Sequence, residues 1–241
     1  MEGHWDPGDP LRDLSPGRWI EERLWAWGDG SGRDGVPIGC LLPEGFEAYA
    51  RLLHPARRQR GRDLEPVRWS QMASRTGRTA HPLMQFPRIA NLPLNEFPDW
   101  DMPPSEGEIP AAEAERLVAN LRPFTSTPDR CYLALWEGFG VPELRAFDAF
   151  PRLRVPHRAY FVFLGPIDAV ATLTLGDFHQ RPNLWWPEDR AWCVATDIDL
   201  FETDIAGTDA CIQRLLADPD LEIYRVAVDA RIDIDGDVIN A

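Results

Sequence analysis

Asp197 and Asp199 lie two residues apart in an apolar run, so on a strand both carboxylates leave the same face. Glu202 and Asp204 follow in what reads as a loop, and His179 precedes them within reach of a folded chain. Carboxylates at a strand end are suited to holding a divalent metal or to acid–base chemistry. Twelve of the chain's 39 acids fall in residues 197–241, however, so such neighbours are expected by composition alone. Asp233, Asp235, Gly236 and Asp237 have the flavour of a calcium loop. Aligning Gly236 with the obligatory loop glycine puts Arg231 where the first acid ligand belongs, and that reading fails. A hairpin over 231–239, turning at Asp235 and Gly236, is expected instead.

A second group is cationic. Residues 51–90 hold nine arginines against Asp63 and Glu65, while the whole chain carries a formal charge of −14. Such asymmetry implies either an anionic partner for one face or an internal clasp between the basic stretch and the acidic remainder. His54, Arg57, Arg58, Arg78 and His81 form a candidate anion pocket, because guanidinium forks grip carboxylate or phosphate through paired hydrogen bonds. The stretch from Val67 to Thr79 has helix-turn-helix character, with Gln71, Ala73 and a turn at Gly77. Pro82 and Pro87 then interrupt the place where a recognition helix would run.

Three tryptophans lie within residues 183–192. Trp185 and Trp186 point to opposite sides of an extended segment, so one of them is expected at the surface as a contact anchor, with Arg190 beside it. The alternative is that they pin the segment to the core. No phosphate-binding glycine loop, nucleophile elbow or zinc-protease motif occurs. With no lysine among the 25 basic residues, Schiff-base and Walker-lysine mechanisms are excluded. Cys40, Cys131, Cys193 and Cys211 are isolated, form no CxxC pair and read as reduced core thiols. No metal or cofactor is assigned, and the balance favours binding over catalysis.

The elements that must position these groups come from hydrophobic spacing. Phe46, Tyr49, Ala50 and Leu53 recur at helical intervals after Pro43, which predicts a helix over 43–53 ending at His54 and Pro55. Further helices are expected over 67–76, over 110–121 with Pro110 in the first turn, over 167–173, and over 208–217 with Thr208 as N-cap. Continuous apolar runs at 131–136 and 159–164 predict strands buried on both faces. Strands are also expected at 191–199 and 221–228, and residues 91–109 read as a long loop. Residues 1–15 read as a poorly ordered tail and Gly28 to Gly32 as a flexible connection, with Trp19, Trp25 and Trp27 docking on the body. The organisation is thus a partly disordered segment at 1–35 and one α+β domain at 36–241. Its N-terminal helices would pack on a mixed sheet drawn mainly from the C-terminal half.

A chain of 241 residues with 44% hydrophobic content and ten tryptophans can bury a substantial core. The negative charge disfavours general adhesion to nucleic acid or anionic membrane. No apolar run reaches the ~20 residues of a membrane helix, and the first residues show no secretory pattern, which implies a cytoplasmic setting.

Two stretches resemble a family of actinobacterial proteins to which no activity is attached. One runs from Leu42 to Arg51 and on through Leu53, His54 and Pro55. The other runs from Asn183 to Pro187 and from Asp189 to Asp199. The resemblance covers roughly residues 36–228 and implies a bacterial, cytoplasmic setting without a mechanism. The Leu42-Pro43 opening also resembles the SUKH immunity-protein superfamily. The expected function is therefore that of a non-catalytic, immunity- or antitoxin-like protein that binds a protein partner. Anion or nucleic-acid binding through residues 51–90, and metal-assisted catalysis at Asp197 and Asp199, stand as alternatives.

Overall fold

The computed structural model describes residues 4–27, 35–90, 98 and 100–241. It is a single α+β domain whose centre is an eight-stranded antiparallel sheet. In chain order the helices are α1 (Arg18–Glu21), α2 (Trp69–Arg75), α3 (Phe86–Ile89), α4 (Ala111–Leu121), α5 (Pro142–Arg145), α6 (Ala169–Thr172) and α7 (Asp209–Leu216). The first strands are β1 (Ala48–Leu53), β2 (Ala56–Arg60), β3 (Asp63–Val67), β4 (Cys131–Trp136), β5 (Leu153–Val155) and β6 (Arg158–Gly165). They are followed by β7 (Thr174–Leu175), β8 (Phe178–His179), β9 (Leu184–Pro187), β10 (Trp192–Ala195), β11 (Glu202–Gly207) and β12 (Ile223–Val226). The sheet order is β12-β1-β11-β10-β9-β4-β6-β5; β2–β3 and β7–β8 are separate hairpins. Every pair in the large sheet is antiparallel, so the expected mixed sheet is corrected.

Both faces of this sheet are covered. On one face Leu133, Phe163, Trp185, Val194 and Ile205 pack beneath α4, α6 and α7. On the other, Tyr132, Val162, Trp186 and Cys193 pack beneath Trp19, Ile20, Ile38 and Ile232. The N-terminal segment thus belongs to the body: the Leu11 amide donates to the Val162 carbonyl at 2.7 Å, and Trp19 and Ile20 are buried. This corrects the reading of residues 4–15 as a loose tail. The connection expected at Gly28 to Gly32 lies outside the described residues. A third cluster, formed by β2–β3, α2 and α3, packs around Trp69, Met72 and Met84 at the Leu53 end of β1.

Local chemistry explains the elements. In α7 the Thr208 hydroxyl accepts the Cys211 amide at 3.2 Å, as a helix N-cap does, and Cys211, Ile212 and Leu215 turn inward. In α4 Ala114, Leu117, Val118 and Leu121 form the buried stripe. The helix expected at 43–53 is instead β1, paired with β11 on one side and β12 on the other. All six of its residues are buried. A strand covered on both faces loses its alternating signature, and the helical spacing of Phe46, Tyr49, Ala50 and Leu53 was fortuitous.

The acid-containing stretch Glu202–Gly207, expected to be a loop, is also a fully buried strand. Its acids are accommodated because Arg51 of β1 lies across from Asp204 and bonds Glu202. The hairpin expected at 231–239 is replaced by a single 3-10 turn, Ile234–Gly236, closed by Asp233 accepting the Asp235 amide. Arg231 bridges Pro37 rather than a strand of its own hairpin.

Candidate anion-binding cleft

Beyond Leu53, His54 and Pro55 turn the chain into β2, whose backbone pairs with Met102 through Arg57 (N to O 2.9 Å, O to N 3.0 Å). The hairpin turns at Gly61, where φ is +63°, and β3 returns the chain to Arg68 and α2. Glu222, just before β12, is buried and anchors the start of that helix. Its oxygens accept the Trp69 amide at 2.6 Å and the Ser70 amide at 2.8 Å. Tyr224 lies alongside, and burial together with Glu222 pushes its hydroxyl up to about 12, so it stays protonated. Helix α4 closes the far side with Glu113 and Arg116.

These segments enclose a cleft of about 360 Å³, within the size range of small-molecule sites. Arg57, Arg68 and Arg116 enter it from β2, the head of α2 and α4, over an apolar floor that includes Leu53, Pro55 and Pro66. Arg57 uses one amino nitrogen, Nη2, on Glu113 (2.9 and 3.3 Å). Arg68 donates through Nη2 to the Pro219 carbonyl. Arg116 bonds both Asp218 oxygens at 3.2 Å and pairs with Asp220. Among the described residues, Nε and Nη1 of Arg57 and of Arg68 donate to no protein acceptor. The guanidinium groups of Arg57 and Arg68 are therefore each held through Nη2 alone and keep donors for a ligand.

The structure separates the residues of the expected anion pocket. Arg57 lines the cleft. Arg58, the next residue on β2, takes the opposite face. His54 is fully buried between the Ser105 carbonyl (2.7 Å) and the Thr203 hydroxyl (2.8 Å). Burial lowers its pKa to about 4, so the ring is a neutral structural link. Arg78 and His81 lie elsewhere, gripping the C-terminal segment: Arg78 donates to the Asn240 carbonyl at 3.2 Å and His81 meets Asp237 at 2.7 Å.

Trp185 and Trp186 are both fully buried, on opposite faces of a sheet covered on both sides, so neither is a contact anchor. Arg190 is exposed at the β9–β10 turn with φ 57°, its guanidinium 5.6 Å from the Trp19 ring. Asp197 and Asp199 do converge, but on Arg158 (2.9 and 2.7 Å). Among the described residues no group of three His, Cys, Asp or Glu is placed to hold a metal ion. The four cysteines are buried, and burial pushes the thiols of Cys131 and Cys211 up to about 12.

Arg116, Glu113, Asp220 and Glu222 were not singled out from sequence. Arg116 is simply the outward residue of an amphipathic helix, and its convergence with Arg57 depends on long-range folding.

Fold and site together define an α+β protein with an arginine-lined cleft at one end of its sheet. Comparison with protein-family models, with curated proteins and with solved structures yields no match for this chain.

Proposed function

We propose that this is a binding protein whose ligand presents an anionic group to the cleft between β2, α2 and α4. One observation carries the reading: three guanidinium groups from separate chain segments line a single cleft, and those of Arg57 and Arg68 retain donors that the fold does not use. Charge-assisted bonds to carboxylate or phosphate are among the stronger hydrogen bonds available to a protein. Titration calorimetry with succinate and with inorganic phosphate tests it. Saturable binding by either anion is expected, weakened about tenfold or more in Arg57→Gln and Arg68→Gln. Heats indistinguishable from dilution for both anions would sink the reading.

A protein partner, the function expected from sequence, is favoured by a different observation. Ile234, Val238 and Ile239 are exposed, Val238 by 77%. Their segment is nonetheless held in place by Gln85, Arg88 and Asn240. The net charge of −14 favours a cationic partner. This reading expects that capture of a basic host protein disappears in a Val238→Asp, Ile239→Asp variant. Unchanged capture would exclude that surface.

A further inference from the structure

The cleft is not uniformly positive. Arg57, Arg68 and Arg116 are matched one for one by Glu113, Asp220 and Glu222, so the formal charges of the lining cancel. A simple anion gains the guanidinium donors but also meets three carboxylates, and a simple cation meets the reverse.

The three acids differ in what they have left to offer. Both oxygens of Glu113 take Nη2 of Arg57. Both oxygens of Glu222 take the first amides of α2. Asp220 turns Oδ2 to Arg116, and among the described residues its Oδ1 accepts nothing. Its side chain is 59% exposed, at the rim. The lining therefore offers spare donors on Arg57 and Arg68 and a spare acceptor on Asp220. Leu53, Pro55, Pro66 and Ala112 supply apolar surface among these groups.

On the reading that the cleft binds an anionic group, we propose that its ligand is a small zwitterion, an α-amino acid with an apolar side chain. The carboxylate takes the free donors of Arg57 and Arg68, the ammonium takes Oδ1 of Asp220, and the side chain covers Leu53, Pro55 and Pro66. Such a ligand brings one charge of each sign to a lining that is balanced in the same way, and leaves neither of its ends unpaired.

The matched probes are leucine, its deaminated analogue isocaproate and its decarboxylated analogue isoamylamine. Each is titrated calorimetrically into the wild-type protein, Asp220→Asn and Arg57→Gln, with circular dichroism confirming that each variant is folded. Leucine is expected to bind about tenfold or more tightly than either analogue. Asp220→Asn should abolish the preference for leucine over isocaproate. Arg57→Gln should weaken both.

If isocaproate binds as well as leucine, the zwitterion assignment fails and the anion-binding reading stands. The same holds if succinate binds and none of the three probes does. Equal binding of leucine and isoamylamine, or silence from these probes and from succinate and phosphate alike, overturns both.

Discussion

Asp204 is fully buried on β11, and neither of its carboxyl oxygens has a hydrogen-bond donor among the described residues. Burial, then the neighbouring Glu202, hold its carboxyl well above the usual carboxylate range, with Asp197 acting in the same sense and Arg51 opposing. Arg51 is committed to Glu202 at 2.8 Å and to the carbonyls of Pro82 and Met84, which leaves Asp204 as a neutral acid in the core. With a raised folded-state pKa, its contribution to stability is full below the unfolded value and is lost as pH rises toward the folded one. Asp189, Asp233 and Asp237 have lowered pKa values, and their contributions are lost as pH falls. Comparing the wild type with Asp204→Asn cancels those opposing groups. As pH rises above the usual carboxylate range, the unfolding free energy of the variant should gain steadily on that of the wild type. A pH-independent difference would show that Asp204 titrates normally.

At the level of elements, a strand covered on both faces governs what can be substituted. Trp186 on β9 stacks on Tyr132 at 5.4 Å, and among the described residues its indole nitrogen has no hydrogen-bond partner. Trp186→Ala should therefore cost about 3–5 kcal/mol through the cavity it leaves. Trp186→Phe should cost less, since no bond is forfeited; urea unfolding measures both. A loss under about 1 kcal/mol for the alanine variant would be the behaviour of an exposed residue.

The same double coverage decided what the sequence could reveal. Helices α4 and α7 were legible because one side of each faces solvent, giving a stripe and, at Thr208, a cap. Strands β4 and β6 announced themselves as unbroken apolar runs. Strand β1 did not, because its six buried residues include Arg51 and a fortuitous helical spacing. Strand β11 did not, because Glu202 and Asp204 look like loop residues until Arg51 is placed opposite them. Of the cleft, Arg57 was legible as a site residue and Arg68 only as one of nine arginines; Glu113, Arg116, Asp220 and Glu222 come from segments more than forty residues further along the chain.

Across the whole molecule, the basic stretch and the acidic C-terminal region are partners. Arg51 reaches Glu202, Arg68 reaches Pro219, Arg78 reaches Asn240 and Arg88 reaches Asp235. His81 adds Asp237, whose other oxygen takes the Gln85 amide. Four of the nine arginines in residues 51–90 are thereby turned toward the chain's own C-terminal half, which accounts for much of the asymmetry that first suggested an external anion. β1 is the centre of this arrangement, since both its neighbours in the sheet, β11 and β12, lie in that half. Arg51 and Glu202 are 151 positions apart. At ordinary translation speeds β1 leaves the ribosome roughly 10–30 s before either neighbour exists. For that interval an apolar strand bearing one arginine has both edges open, and the newborn chain must be shielded or stay unfolded until β11 and β12 are made.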